Sequence, residues 1–218
     1  MRRLLDRVRR ARPELDVRES YVDVVDPSVT DVVATLAGPA VLVPVLLSTG
    51  YHVSVDLPRV AAAAAAPATV AAPLGPDPVL VALACRRVRE VAGEAYDALV
   101  LAAAGSSDPA AARAVEQAGA ALSELTGRPV RPGYASAAQP RVAEAVDQLR
   151  RDGYPRVVVC RYLLAPGYFA DRVGADAARA GAAAISEALG DDPELATLVL
   201  RRYDSVAGDV AGDVANLG

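Results

Sequence analysis

The chain has 218 residues, a net charge of −4 and a pI near 5.1, with 53% hydrophobic and 23% charged residues. That balance describes one large or two small globular domains and excludes a disordered chain. An acidic chain with eight Tyr, one Phe and no Trp has neither the cationic footprint nor the stacking platform of a nucleic-acid binder.

All 23 basic residues are Arg, so Schiff-base and P-loop lysine chemistry is excluded. The two cysteines, Cys85 and Cys160, stand outside any CxxC pattern. This excludes a zinc ribbon or cysteine-ligated cluster within one chain and fits a reducing compartment. No segment reads as a membrane span or a secretory signal. The expected address is the cytoplasm, with no membrane or nucleic-acid partner.

In chain order the pattern predicts a helix over 2–11, with Leu4, Leu5, Val8 and Ala11 on one face and arginines on the other. Strand 15–22, helix 27–37, strand 40–47, helix 55–65, strand 68–72 and helix 76–92 follow. Strand 98–103 comes next, then helix 109–125 with Asp108 as N-cap and Pro109 as its first residue. After it come strand 130–135, helix 139–151, strand 156–163, helix 170–180, strand 183–187 and helix 193–203. The small and acidic residues after Tyr203 read as a frayed tail. Strands alternating with helices predict the α/β class, built from parallel units with right-handed crossovers.

The chain also repeats itself. Tyr21, Pro27, Val29, Val33 and Leu36 fall on Tyr134, Pro140, Val142, Val146 and Leu149. Val41–His52 falls on Val157–Phe169 with one extra residue in the second copy, and Leu74-Gly-Pro-Asp-Pro falls on Leu189-Gly-Asp-Asp-Pro. The expected domains are 1–92 and 93–205, with a flexible tail over 206–218. Residue 1 aligns near residue 114, so the first copy lacks a counterpart of roughly Ala98–Arg113, its opening strand and loop. Either translation starts further upstream or the chain is shortened. In the second case one sheet loses a strand, and its apolar edge is exposed or filled by a partner.

His52 is the only histidine. It follows a strand and a Gly turn, and in open α/β sheets ligands bind beyond the carboxyl ends of strands. Its counterpart is Phe169. Asp56, four residues on, shares a helical face with it and either orients the imidazole, joins it as a ligand, or simply complements the helix dipole. The loop Gly105-Ser106-Ser107-Asp108 between strand and helix offers N–H groups to a carboxylate or phosphate. Arg161 and Arg172 flank Gly167-Tyr168-Phe169 and could meet substrate carboxylates, or stand solvated at the surface. No GxSxG, GxGxxG or Walker pattern is present.

The stretches Pro44–Pro58, Leu74–Pro78, Ala102–Pro109 and Tyr162–Asp171 together resemble the sirohydrochlorin chelatases, the class II cobalt and ferrochelatases, in their two-domain form. The resemblance spans about residues 2–204. It implies two chelatase-like α/β domains facing across a cleft, each a mainly parallel sheet flanked by helices, the first lacking its opening strand. It implies insertion of Fe²⁺ or Co²⁺, as substrate rather than a permanent cofactor, into sirohydrochlorin or a related tetrapyrrole. His52 then binds metal or takes a proton, with Asp56 supporting. Ser48, Gly50, Tyr51, Ser106, Ser107, Arg161, Tyr168, Phe169 and Arg172 then contact the tetrapyrrole. A second family histidine, in a His-Gly-Ser loop after the first strand, has no equivalent; the second copy reads Ala104-Gly105-Ser106. A homodimer fits this reading. The competing readings are a shortened, non-catalytic tetrapyrrole- or metal-binding protein or partner subunit, and a two-lobed small-molecule binder.

Overall fold

The structure is a computed structural model that describes residues 2–22, 25–50 and 52–215, without the side chains of His52 and of residues 209–215. Its elements in chain order are α1 (Arg2–Ala11), α2 (Val29–Ala34), β1 (Ala40–Leu42), a π-helical turn (His52–Asp56), α3 (Leu57–Ala62), β2 (Ala68–Val70) and α4 (Pro78–Ala92). They continue with β3 (Ala98–Ala103), α5 (Pro109–Thr126), β4 (Val130–Tyr134), α6 (Val142–Arg151), β5 (Val157–Arg161), α7 (Tyr168–Arg179), β6 (Ala184–Ile185) and α8 (Pro193–Ala215). The α/β class and the parallel sheets expected from the sequence are both present.

Two compact units form: a central unit over Gly75–Asp192, and an amino-terminal unit joining Arg2–Leu74 to the chain from Pro193 onward. The central unit holds a four-stranded parallel sheet in the order β4-β3-β5-β6. All six residues of β3 are buried, and Val157, Val158 and Val159 of β5 are fully buried as well. An interior parallel strand covered on both faces needs such a continuous apolar run. Each buried Leu or Val stabilises the fold by about 1.5–3 kcal/mol relative to exposure. Asp108 caps α5, accepting the Ala110 N–H at 2.8 Å, with Pro109 in its first turn.

The amino-terminal unit has only the two-stranded parallel sheet β1-β2. Val29, Val33 and Leu57 make a small core on one side of it, and Leu4 and Val8 turn the apolar stripe of α1 inward. The strand expected over 15–22 does not form. Among the described residues only a single parallel bridge, Tyr21 to Ser28, marks its end. The equivalent strand of the second copy, β4, is held by pairing with β3, and among the described residues the first copy has no strand in the place of β3.

The helices that follow β2 and β6 do not stay with their own repeat. The α4 helix belongs by sequence to the first copy but packs in the central unit, where Arg86 pairs with Asp192 at 2.7 Å and Arg87 donates to the Leu189 carbonyl at 3.1 Å. The α8 helix belongs by sequence to the second copy but packs in the amino-terminal unit. There Arg202 donates to the carbonyls of Pro73 (2.8 Å) and Leu74 (3.0 Å), and Asp204 pairs with Arg12 at 3.0 Å. The backbone of α8 stays helical to Ala215, through most of the segment expected as a flexible tail. No helix among the described residues is long and apolar enough to cross a membrane.

Hydrogen bonding also refines the repeat. The Ala71 N–H donates to Leu42 C=O at 2.9 Å, as Ser186 N–H donates to Val159 C=O at 2.9 Å. Leu42 therefore matches Val159. Ala40–His52 runs along Val157–Phe169 without the extra residue that the sequence alignment inserts there, and the length difference falls in the preceding helix–strand connection.

The strand starts are tied by charge. Asp97 accepts from the Arg156 backbone N–H at 2.9 Å and from its guanidinium at 2.8 Å, joining the mouths of β3 and β5. The Arg156 guanidinium, helped by its N–H, holds this carboxyl below the usual aspartate range. A depressed carboxyl contributes stability above its unfolded pKa and loses it as pH falls through the folded value. The melting-temperature gap between wild type and Asp97→Asn is expected to be present at neutral pH and to close on acidification below the ordinary aspartate range. Thermal melts between pH 7 and pH 2 check this; a gap that is independent of pH contradicts it.

Candidate functional site

In the central sheet the chain runs from β3 outward to β4, then crosses back to β5 and β6. The reversal lies between β3 and β5, and in open α/β sheets ligands bind beyond the strand ends at such a switch point. On one side is Ala104–Asp108. Gly105 sits at φ +92°, and a Cβ there would stand 1.8 Å from the Ser136 carbonyl oxygen. Only glycine lets the two loops approach this closely. Ser136 seals the approach by donating both its N–H and its hydroxyl to the Ala104 carbonyl, each at 2.9 Å. Ser106 accepts from the Asp108 N–H at 3.1 Å, and Ser107 is exposed.

On the other side is the head of α7. Gly167 precedes it at φ +141°, and its carbonyl accepts the Asp171 N–H at 2.9 Å. Tyr168 is 69% exposed and Phe169 41%, their rings meeting edge to face at 5.4 Å. Arg172, one turn on, donates to the Tyr168 hydroxyl at 3.3 Å. The sequence-predicted trio Tyr168, Phe169 and Arg172 thus forms one exposed patch, an apolar surface with a cationic rim.

Arg161 is placed differently. Its guanidinium is about four-fifths buried, donates to the Ser186 carbonyl at 3.2 Å and stands 3.9 Å from Glu187. It rests against Gly174 of α7, where a Cβ would meet it at 2.5 Å. Ser186, the buried polar residue beneath it, accepts the Arg161 N–H at 3.0 Å and donates to the Glu187 carbonyl at 2.9 Å. Sequence reading missed Ser186, Ser136 and Gly174. A glycine inside a helical pattern, as at 174, is the one signal available, because it often marks a close approach.

In the amino-terminal unit Gly50 is the counterpart of Gly167. Its carbonyl accepts the N–H groups of Val53 and Ser54 and the Ser54 hydroxyl, each at 3.0 Å. These bonds start the π-helical turn that opens with His52 and closes with Asp56. The turn replaces the α-helix expected from residue 55, which begins at Leu57, anchored by that buried side chain. His52 occupies the helix-head place that Phe169 holds in the second copy. Its side chain and the whole of Tyr51 lie outside the described residues. Ser48 and Asp56 are half-buried. Among the described residues no group of three His, Cys, Asp or Glu side chains is gathered to hold a metal.

The fold and these loops define a duplicated α/β protein with its candidate loops at the carboxyl ends of parallel strands. The CbiX family profile matches residues 1–91 and 98–206, and the chain belongs to that family, the sirohydrochlorin chelatase relatives its motifs resemble. SirB from Bacillus subtilis with Fe³⁺ shares the fold at a TM-score of 0.76 and 22% identity, over 97% of this chain and 91% of that one. SirB from Bacillus subtilis subspecies spizizenii in complex with cobalt follows at 0.70 and 21%, over 97% and 90%. A CbiX described as the terminal enzyme for siroheme biosynthesis in denitrifying bacteria matches at 0.71 and 24%, over 93% and 88%. No curated protein sequence matches the chain significantly.

The cysteines lie outside these loops. Cys85 and Cys160 are free and buried, and burial pushes the Cys160 thiol up to about 12. Neither thiol is expected to react with a water-soluble disulfide reagent in the folded chain at pH 8, and both react once it is denatured. Thiol titration with and without guanidinium checks this. In a second test, Gly105→Ala is expected to cost about 2–4 kcal/mol in stability, from backbone strain and the clash with Ser136. Denaturant melts read it, and a loss within 0.5 kcal/mol contradicts this account.

Proposed function

We propose that this chain inserts Fe²⁺ or Co²⁺ into sirohydrochlorin or a closely related tetrapyrrole, acting in the cytoplasm. The observation that carries the reading is the CbiX match over both repeats, joined to a single imidazole at the head of a helix beyond a parallel strand. π-helical turns occur disproportionately at functional sites, and this one begins at that histidine.

Insertion exchanges one divalent metal ion for two pyrrole N–H protons. A neutral imidazole suits both halves of the exchange, since it binds Fe²⁺ or Co²⁺ and accepts a proton near neutral pH. His52 takes the metal or the proton, and Asp56, one turn away, orients it. Ser48, Gly50 and Tyr51, in the segment that leads to His52, are assigned to the tetrapyrrole. In the central unit Tyr168 and Phe169 offer a face to the macrocycle. Arg172 meets a peripheral carboxylate, and Ser106 and Ser107 add hydrogen bonds. Arg161 braces β5 against α7 beneath this patch.

A second reading has one supporting observation: His52 is the only histidine, and one imidazole holds a metal weakly. The chain then binds tetrapyrrole or metal without joining them. Purified protein with sirohydrochlorin and Co²⁺, followed by the absorbance change on insertion, separates the two. Turnover is expected, with His52→Ala lowering kcat/KM at least about 100-fold and Asp56→Asn about 10-fold. Phe169→Ala is expected to act on KM more than on kcat. Binding without turnover selects the second reading, and full activity in His52→Ala removes the histidine from the site.

A further inference from the structure

We propose that two copies of this chain associate about a two-fold axis through antiparallel packing of their α5 helices. The outer face of α5 carries Arg113, Gln117, Ala120 and Glu124, all exposed. Their spacing of four, three and four residues keeps them on one stripe of the helix. Arg113 and Glu124 are eleven residues apart, three turns and about 16 Å. The midpoint of that pair falls between Ala118 and Gly119, and so does the midpoint of Gln117 and Ala120. A two-fold axis crossing α5 at that point sets Arg113 opposite the partner's Glu124, and Gln117 opposite the partner's Ala120. The stripe is therefore complementary to itself in charge and in size, which is the condition for an isologous interface.

Among the described residues, the two charges of the stripe, Arg113 and Glu124, make no hydrogen bond or ion pair. The arginines of the neighbouring α4 all pair within the chain: Arg86 with Asp192 at 2.7 Å, Arg87 with Glu90 at 2.8 Å and Arg89 with Glu94 at 3.1 Å. Opposite charges left over at matched distances from one point are satisfied together only by a second copy turned end for end.

Ion pairs at a surface contribute little alone, and the apolar part of the contact lies beside the stripe. A cleft of about 660 Å³ runs between α4 and α5. Val81 and Ala82 line one side of it and Ala118, Ala121 and Leu125 the other, together with Gln117 and Glu124 of the stripe. Leu125 is 51% exposed there, an apolar side chain that a second copy removes from water. Ala120, near the centre of the stripe, ends at Cβ, so the two helix axes can approach to about 8 Å. A peptide or a small molecule would account for the cleft but not for the matched spacing of opposite charges; a second copy accounts for both.

Sedimentation equilibrium of the 218-residue chain is expected to show a monomer–dimer equilibrium in the micromolar range that weakens as salt is raised. Arg113→Glu and Glu124→Arg each set like charges opposite one another and are expected to weaken the dimer at least about 10-fold. The double variant Arg113→Glu/Glu124→Arg restores opposite charges across the axis and is expected to return to within about threefold of the wild-type affinity. A second measurement leaves the charges untouched. A nitroxide on Ala120→Cys, the native thiols being buried, is expected to show spin–spin broadening that disappears when labelled chain is mixed with excess unlabelled chain. It decides the matter if a reversed variant does not fold. A chain that stays monomeric at about 1 mM overturns the proposal. So does a dimer that neither single reversal weakens, one that the double reversal fails to restore, or one without broadening at position 120.

Discussion

The pairing of β5 with β3 governs the rest of this molecule. Where a fully buried apolar strand lies between two neighbours, as β3 lies between β4 and β5, every interior ladder group has a partner and both sheet faces are covered. The same chain provides the control. The first copy keeps its hydrophobic pattern over 15–22, but among its described residues no strand stands in the place of β3, and none forms over 15–22. Local preference for an extended chain is too weak to hold a strand without a ladder. The shorter β1, three residues where β5 has five, follows from the same absence.

The strand ends decide where chemistry can be placed. Parallel strands deliver all their following loops to one end of a sheet, and glycine controls how closely those loops approach. At Gly105 the approach is enforced by the Ser136 carbonyl. At Gly50 and Gly167 a glycine carbonyl accepts the N–H groups that begin the next helix. The two copies share this scaffold and differ in what it presents. One exposes Tyr168 and Phe169 beside Arg172; the other has His52 as the first residue of a π-helical turn. Duplication followed by divergence places different residue types at equivalent helix heads.

Much of this was legible beforehand. The run Ala98–Ala103 read as a buried strand and is one, and Asp108-Pro109 read as a cap and first turn and is one. Both signals are local: an apolar run of strand length, and a side chain that bonds the N–H two residues on. The patch of Tyr168, Phe169 and Arg172 was also legible, because residues at i, i+1 and i+4 of one helix head are neighbours whatever the fold. Arg161 was not. Its direction depends on Ser186 and on the gap left by Gly174, residues 25 and 13 positions away, so a basic residue at a strand end looked like a free ligand group.

The amino-acid sequence by itself determined the class, the duplication, the ladder-forming runs and the place of the sole histidine, since each rests on periodicity or on contacts within a few residues. Tertiary structure alone decided that residues 15–22, which carry a strand pattern, did not become a strand, and which unit each connecting helix joined. The α4 and α8 helices each carry an apolar stripe suited to covering a sheet, and nothing in that stripe says which sheet. The answer came from long-range contacts, such as Arg87 with Leu189 and Arg202 with Pro73, whose partners lie more than a hundred residues apart.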